Sequence, residues 1–276
     1  MANAVTSNQT DIYKNLEQVV RKYATTCFLR PVADHTREAF AEALRFIEEF
    51  HKTHGTSDRK KCTDECAGAT PFEFVLDSGC GTGESSLHLA RKFPNVPVIG
   101  VDKSAMRLNK AGNIHQLEQL SETASCQSEQ VIPGNAFWVR AELLDFWRLT
   151  LDAVNGGSLN ILHHAVFYPN PWPKESEATR RFHLHPIFPT MMALSSVTEM
   201  RTNWEIYARE FAEASRILCD VARQGNLVVS ASSPAIACSS PAITCEPFDP
   251  VHPETAFERK YKEARQQLWR VLVKHP

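Results

Sequence analysis

A chain of 276 residues, 43% of them hydrophobic, can bury a sizeable core. It contains no apolar run of the roughly 18 residues that a membrane span needs, and MANAVTSNQTDIYKN lacks the basic-then-apolar pattern of a secretory signal. A soluble protein of the cytoplasm or nucleus, without membrane attachment, is therefore expected, and a net charge of −2 excludes a chain that holds nucleic acid by a global basic field.

In chain order, residues 1–55 read as a separable helical extension. From Asp34, Phe40, Leu44, Ile47 and Phe50 recur at helical spacing along one apolar stripe, with Gly55 as a stop. The polar residues 56–70 read as a linker, and residues 71–276 as a domain with another rhythm. There, FEFVLD, VPVIGVD, NAFWVRAE and SLNILHHAVFY alternate with amphipathic helices over Glu84 to Phe93, Ser104 to Leu120 and Leu143 to Val154. Strand and helix alternating at this spacing predict an α/β fold, a mostly parallel, doubly wound sheet with helices on both faces. A helix near Ile187 to Leu194, a strand ending near Thr202, a helix from Trp204 to about Arg223 and late strands LVVSAS and LWRVLV follow. The stretch Pro234 to Pro253 reads as an extended loop and Ser121 to Gly134 as an insertion.

The eight cysteines include no CxxC pair, and Cys62 and Cys66 with His51 and His54 do not have the spacing of a zinc site. Reduced thiols and no metal are expected. His163 and His164, on opposite faces of an apolar strand, read as packed side chains, and Cys80 as a small filler. Trp204 and Tyr207 read as core, and Phe257 as a loop aromatic.

The segment FVLDSGCGTGESS is a strand, then Gly79, Gly81 and Gly83, then a helix. Glycines at such a turn let the backbone approach a ligand while the helix N-terminus faces it. Asp77 ends the first strand and Asp102 the next, and a carboxylate at the second position suits a ribose diol, whose two hydroxyls it can accept. Ligands of open parallel sheets bind beyond the carboxyl ends of the strands. The sequence YPNPWPK follows the fourth strand, so it is expected there. Its prolines stiffen a loop that presents Asn170 and Trp172.

An acid ahead of three alternating glycines resembles the first motif of S-adenosylmethionine-dependent methyltransferases. FYPNPWPK resembles the FPDPWPK signature of the tRNA (guanine-N7)-methyltransferases of the TrmB type, and Arg180-Arg181 the arginine pair that follows it. RTNWEIYA and Thr255-Ala256-Phe257-Glu258 resemble that family's ATDWExYA and TKFE segments. The resemblance implies a Rossmann-like class I methyltransferase fold, S-adenosylmethionine as cofactor, tRNA as partner, and room for a second protein subunit. It implies cofactor binding by Asp77, Gly79, Gly81, Gly83, Asp102 and Glu142, and catalysis at a mouth formed by Asn170 and Trp172. Lys174, Arg180, Arg181, Asn203, Thr255 and Glu258 are then expected at the substrate. This chain departs from the pattern where Asn170 and Asn203 replace aspartates, and where Glu175 to Thr179 replaces a basic cluster. Asn170-Pro171-Trp172 also resembles a shortened Asn-Pro-Pro-Tyr motif of enzymes that methylate exocyclic or amide nitrogens. A catalytically silent cofactor-binding partner in an RNA-modification complex is the third alternative.

Overall fold

The structure is a computed structural model that describes residues 5–54, 70–110, 133–229 and 241–275. Cys62 and Cys66, nearly all of the expected linker and insertion, and the second half of the helix expected from Ser104 lie outside the described residues. The chain divides into two compact units, residues 32–162 and residues 1–31 with 163–276. Along the seven-stranded sheet the strand order is β3-β2-β1-β4-β5-β7-β6.

The first unit holds α2 (Asp34–His54), β1 (Phe72–Ser78), α3 (Glu84–Lys92), β2 (Val98–Asp102), a helical turn at 105–110, β3 (Ala136–Arg140) and α4 (Leu143–Asn155). Strands β1, β2 and β3 pair in parallel, with Ser78 opposite Val101 and Asp102 opposite Arg140, so their carboxyl ends lie level. Neighbouring residues of a strand face opposite ways. Phe137 accordingly stacks on Phe46 of α2 at 4.8 Å, while Trp138 lies beside Gly100 and Ser86 on the α3 face. Helices therefore cover both faces of this unit, as the alternation predicts.

Helix α2, expected in an extension that ends at residue 55, groups with the strands of this unit. Its buried stripe, Ala39, Ala43, Ile47 and Phe50, packs on β1 and β3, and Phe40 meets Phe146 of α4 edge-on at 5.5 Å. The helix is part of this unit because exposing that stripe would forfeit its burial, at about 25 cal/mol per Å² of apolar surface.

Gly100, in mid-β2, is required by space rather than by backbone angle. A Cβ there would stand 2.5 Å from Ser86 Oγ, 2.6 Å from Trp138 Cδ1 and 3.1 Å from Cys80 Sγ. Gly100→Ala is expected to destabilise the fold by about 1–3 kcal/mol, the usual cost of overpacking a dense core. A parental urea midpoint in that variant would contradict the packing described.

The second unit holds α1 (Leu16–Ala24), the later part of β4 (Leu159–Phe167), 3-10 helices Glu175–Arg180 and Phe182–Leu184, and α5 (Phe188–Ala193). After these come β5 (Val197–Thr202), α6 (Glu205–Arg223), β6 (Ala242–Phe248), α7 (Ala256–Glu263) and β7 (Leu268–Lys274). β4 and β5 are parallel, whereas β7 runs antiparallel between β5 and β6, so the sheet is mixed. The apolar stripe of α1, Leu16, Val20 and Ala24, closes over α6. Helix α6 therefore lies between the sheet and α1 and is buried around most of its circumference.

Residues 227–229 of LVVSAS form no strand, and the Val228 amide donates to the Ala24 carbonyl at 2.8 Å; residues 230–232 of that run lie outside the described residues. Within the stretch expected as loop, Ala242–Phe248 forms strand β6, pairing with β7 from Ala242↔Lys274 to Phe248↔Leu268. Pro247 is tolerated because β6 is an edge strand, where a missing N–H breaks no second ladder.

Candidate functional site

In the first unit, the turn after β1 is built on glycine. Gly79, Gly81 and Gly83 have φ of 79°, 59° and 81°, and a Cβ added at Gly79 or Gly81 would meet nothing within 4 Å. The turn therefore leaves open space above bare backbone, a cradle of the kind a nucleotide-type ligand needs. Asp77 lies beneath it, 1% exposed, where its Oδ2 accepts from Ser85 and Ser86 Oγ, both at 2.6 Å. Its task is to tie the first turn of α3 to the end of β1. Asp102 ends β2, where its Oδ2 accepts from the Gly81 amide at 3.1 Å and its Oδ1 from the Ser104 amide at 2.7 Å. Arg107 stands 3.4 Å from the same Oδ2. Glu142 follows β3 as the N-cap of α4, after Ala141, whose amide donates to the Asp102 carbonyl at 3.2 Å. Parallel pairing thus brings the glycine turn, Asp102 and Glu142 to the carboxyl ends of three adjacent strands. Cys80 is buried, and burial together with Asp77 and Asp102 pushes its thiol pKa well up, consistent with an inert filler.

In the second unit, the loop after β4 is strained and tightly held. Tyr168 and Trp172 have φ of 53° and 43°, left-handed values that bulky residues adopt only when their surroundings impose them. Asn170 and Lys174 are exposed and Trp172 is half-buried. Arg180 lays its guanidinium over the Trp172 ring at 3.3 Å and pairs with Glu177 at 3.0 Å.

Arg181, expected at the substrate together with Arg180, lies inside the unit instead. It is 0% exposed; its Nε donates to the Pro171 carbonyl at 3.2 Å, and its Nη2 to the Trp172 carbonyl and Gln9 Oε1, both at 2.9 Å. Its Nη1 meets Glu210 Oε2 at 2.7 Å, and that oxygen also receives His183 Nε2 at 2.8 Å. Burial alone would raise the Glu210 pKa, but the hydrogen bonds and charge of His183 and Arg181 override it and bring it down to about 2.

Thr255 and Glu258, expected at the substrate, likewise have internal tasks. Thr255 is the N-cap of α7, its Oγ1 accepting from the Glu258 amide at 3.0 Å. The sequence TAFE is thus a variant capping box, in which the Glu258 carboxylate reaches the Glu254 amide at 2.6 Å. Fully buried, Glu258 also accepts from Tyr168 Oη at 3.0 Å and pairs with Arg201 at 2.9 Å. Arg201 is paired with Glu199 and Glu254 as well, each at 2.7 Å. Phe257 belongs to α7 rather than to a loop and is 48% exposed, its ring 6.0 Å from Tyr168 and 6.1 Å from Tyr261. Asn203 is half-buried and donates to Gln266 Oε1 at 3.2 Å.

Sequence reasoning overlooked Glu210 and Gln9. For Glu210 a signal exists: within YAREFA an acid stands on the same side as Tyr207, Phe211 and Ala214, and a charge on an apolar stripe demands a partner. Gln9 carries no comparable signal. Trp204, Tyr207, His163 and His164 are buried as expected. Among the described residues no cluster of His, Cys, Asp or Glu is arranged to hold a metal ion, and no helix is long and apolar enough to cross a membrane.

A family model described as "Putative methyltransferase" matches residues 72–271. Among curated proteins, a tRNA (guanine-N(7)-)-methyltransferase from Mycolicibacterium gilvum is 29% identical over 146 residues, 50% of this chain and 49% of that protein. One of the same name from Neisseria meningitidis is 22% identical over 256 residues, 85% of this chain and 93% of that protein. A trans-aconitate 2-methyltransferase from Deinococcus radiodurans is 52% identical over 42 residues, 15% of this chain. The match spans about half the length of the M. gilvum protein and 16% of the D. radiodurans one.

Proposed function

This chain belongs to the family described as "Putative methyltransferase", and we propose that its reaction is the transfer of a methyl group from S-adenosylmethionine to N7 of a guanine in tRNA. S-adenosylmethionine, the methyl donor, supplies a methyl on a positively charged sulfur that an acceptor lone pair can displace. The open backbone at Gly79 and Gly81 leaves room for such a ligand, and in this reading Asp102 and Glu142 hold its ribose and adenine ends. Asp77, tied to Ser85 and Ser86, keeps the glycine turn and the α3 N-terminus in place.

The observation that carries the choice of acceptor is the chemistry of the loop after β4. Its exposed side chains, Asn170 and Lys174, include no carboxylate or imidazole. Guanine N7 has a free lone pair and no hydrogen, so no general base is needed. Rate then comes from holding N7 in line and from stabilising the positive charge that grows on the base. The names of the M. gilvum and N. meningitidis relatives support the same acceptor. Lys174 and Arg180, both exposed, are assigned to the tRNA backbone. In the TAFE segment Ala256 and Phe257 are open to solvent, whereas Thr255 and Glu258 are buried, so Phe257 is the TAFE side chain assigned to the acceptor side.

Asn170 offers an amide donor and acceptor in one geometry, which also suits an amine or amide target. Asn170→Asp separates the two readings. With guanine N7 as acceptor, a carboxylate complements the cationic product, and methyl transfer to total tRNA is expected to be preserved or raised, by a few kcal/mol of barrier at most, about the worth of one preorganised electrostatic group. A hundredfold loss in the variant, or label appearing only in protein when a protein extract is supplied, would overturn the assignment.

A further inference from the structure

We propose that the N-terminal segment Ser7 to Tyr13 is a positioning strap for the loop 168–174, acting through Glu210 and Arg181 to hold Asn170 and Trp172 in place. Its catalytic consequence rests on the methyl-transfer reading above.

Pro169, Pro171 and Pro173 carry no N–H, so this part of the backbone is fastened mainly through its carbonyls. Three consecutive carbonyls are taken. Pro171 and Trp172 accept from Arg181, at 3.2 Å from Nε and 2.9 Å from Nη2 respectively, and Pro173 accepts from Ser7 Oγ at 2.5 Å. The strap thus reaches the loop directly at one end.

At the other end it fixes the arginine. Gln9 Oε1 accepts from Arg181 Nη2 at 2.9 Å, while Gln9 Nε2 donates to Glu210 Oε1 at 2.6 Å. The Tyr13 amide donates to the same Glu210 oxygen at 2.7 Å, leaving Oε2 for Arg181 and His183. Every link is polar and directional, and of residues 7–13 only Gln9 is buried. Such an array contributes geometry more than apolar burial, which is what a left-handed Trp172 needs in order to persist. Gln9 and Ser7 touch no group assigned to cofactor or acceptor, so they are positioning residues.

The test compares the parent with Gln9→Ala and Arg181→Lys, taking Glu17→Ala on α1 as a control. Arg181→Lys retains a cation for Glu210 but cannot reach the Pro171 and Trp172 carbonyls and Gln9 together. Hydrogen exchange is followed at the amides of Tyr168, Asn170, Trp172 and Lys174, with kcat and KM for tRNA and the affinity for S-adenosylmethionine. Loss of one such link should accelerate exchange in this loop and lower kcat, each by about tenfold, with KM and cofactor affinity near parental. Parental exchange at these amides in both variants would overturn the strap, and so would faster exchange with parental kcat. If the parent methylates no tRNA, the methyl-transfer reading fails and the exchange result alone decides whether the strap holds the loop.

Discussion

Replacing Glu258 by alanine is expected to lower the unfolding free energy by about 3 kcal/mol or more, because breaking a buried ion pair from one side leaves the other charge uncompensated. The carboxylate is 0% exposed and joins Arg201, the Tyr168 hydroxyl and the Glu254 amide. Its removal strands part of Arg201's charge and unties both the start of α7 and the first strained residue after β4. Thr255→Ala, which removes only the α7 cap, should cost about 1 kcal/mol. Urea unfolding measures both, and a Glu258→Ala midpoint equal to that of Thr255→Ala would contradict the buried network. Loss of methyl transfer in a Glu258 variant therefore reports first on the fold.

Asp102→Ala is expected to weaken S-adenosylmethionine binding by about 10- to 100-fold, or 1–3 kcal/mol, the range for leaving buried polar partners unmatched. Two effects combine. In the proposed complex the carboxylate accepts from the ribose hydroxyls, and in the structure it already receives the Gly81 and Ser104 amides, so its loss also loosens the turn that would cradle the ligand. Calorimetry of the parent and variant gives the ratio. A parental dissociation constant in the variant would remove Asp102 from the site.

The parts of this protein that can be read from its sequence are those whose signal is local. β1, β2 and β3 are short apolar runs with stops around them, and the glycine turn announces its open backbone by composition alone. β6 is hidden because AITCEPF mixes a proline and an acid into an edge strand whose pairing with β7 depends on residues some twenty-five positions away. The apolar run LVV misleads in the opposite direction, since its backbone bonds to the end of α1. Arg180 and Arg181 are adjacent and chemically identical, yet one stacks in the open on Trp172 and the other is sealed under Trp204, its guanidinium 4.8 Å from that ring. Only tertiary placement distinguishes them. The same holds for Thr255 and Glu258, where one motif can serve a ligand or cap a helix.

The identity of the acceptor atom is open to one direct measurement. The purified protein, incubated with unmodified tRNA and methyl-labelled S-adenosylmethionine, would be followed by digestion of the RNA to nucleosides and mass spectrometry. With guanine N7 as the acceptor, the label is expected in 7-methylguanosine. Label in any other nucleoside, or none in RNA alongside label in protein, would contradict it.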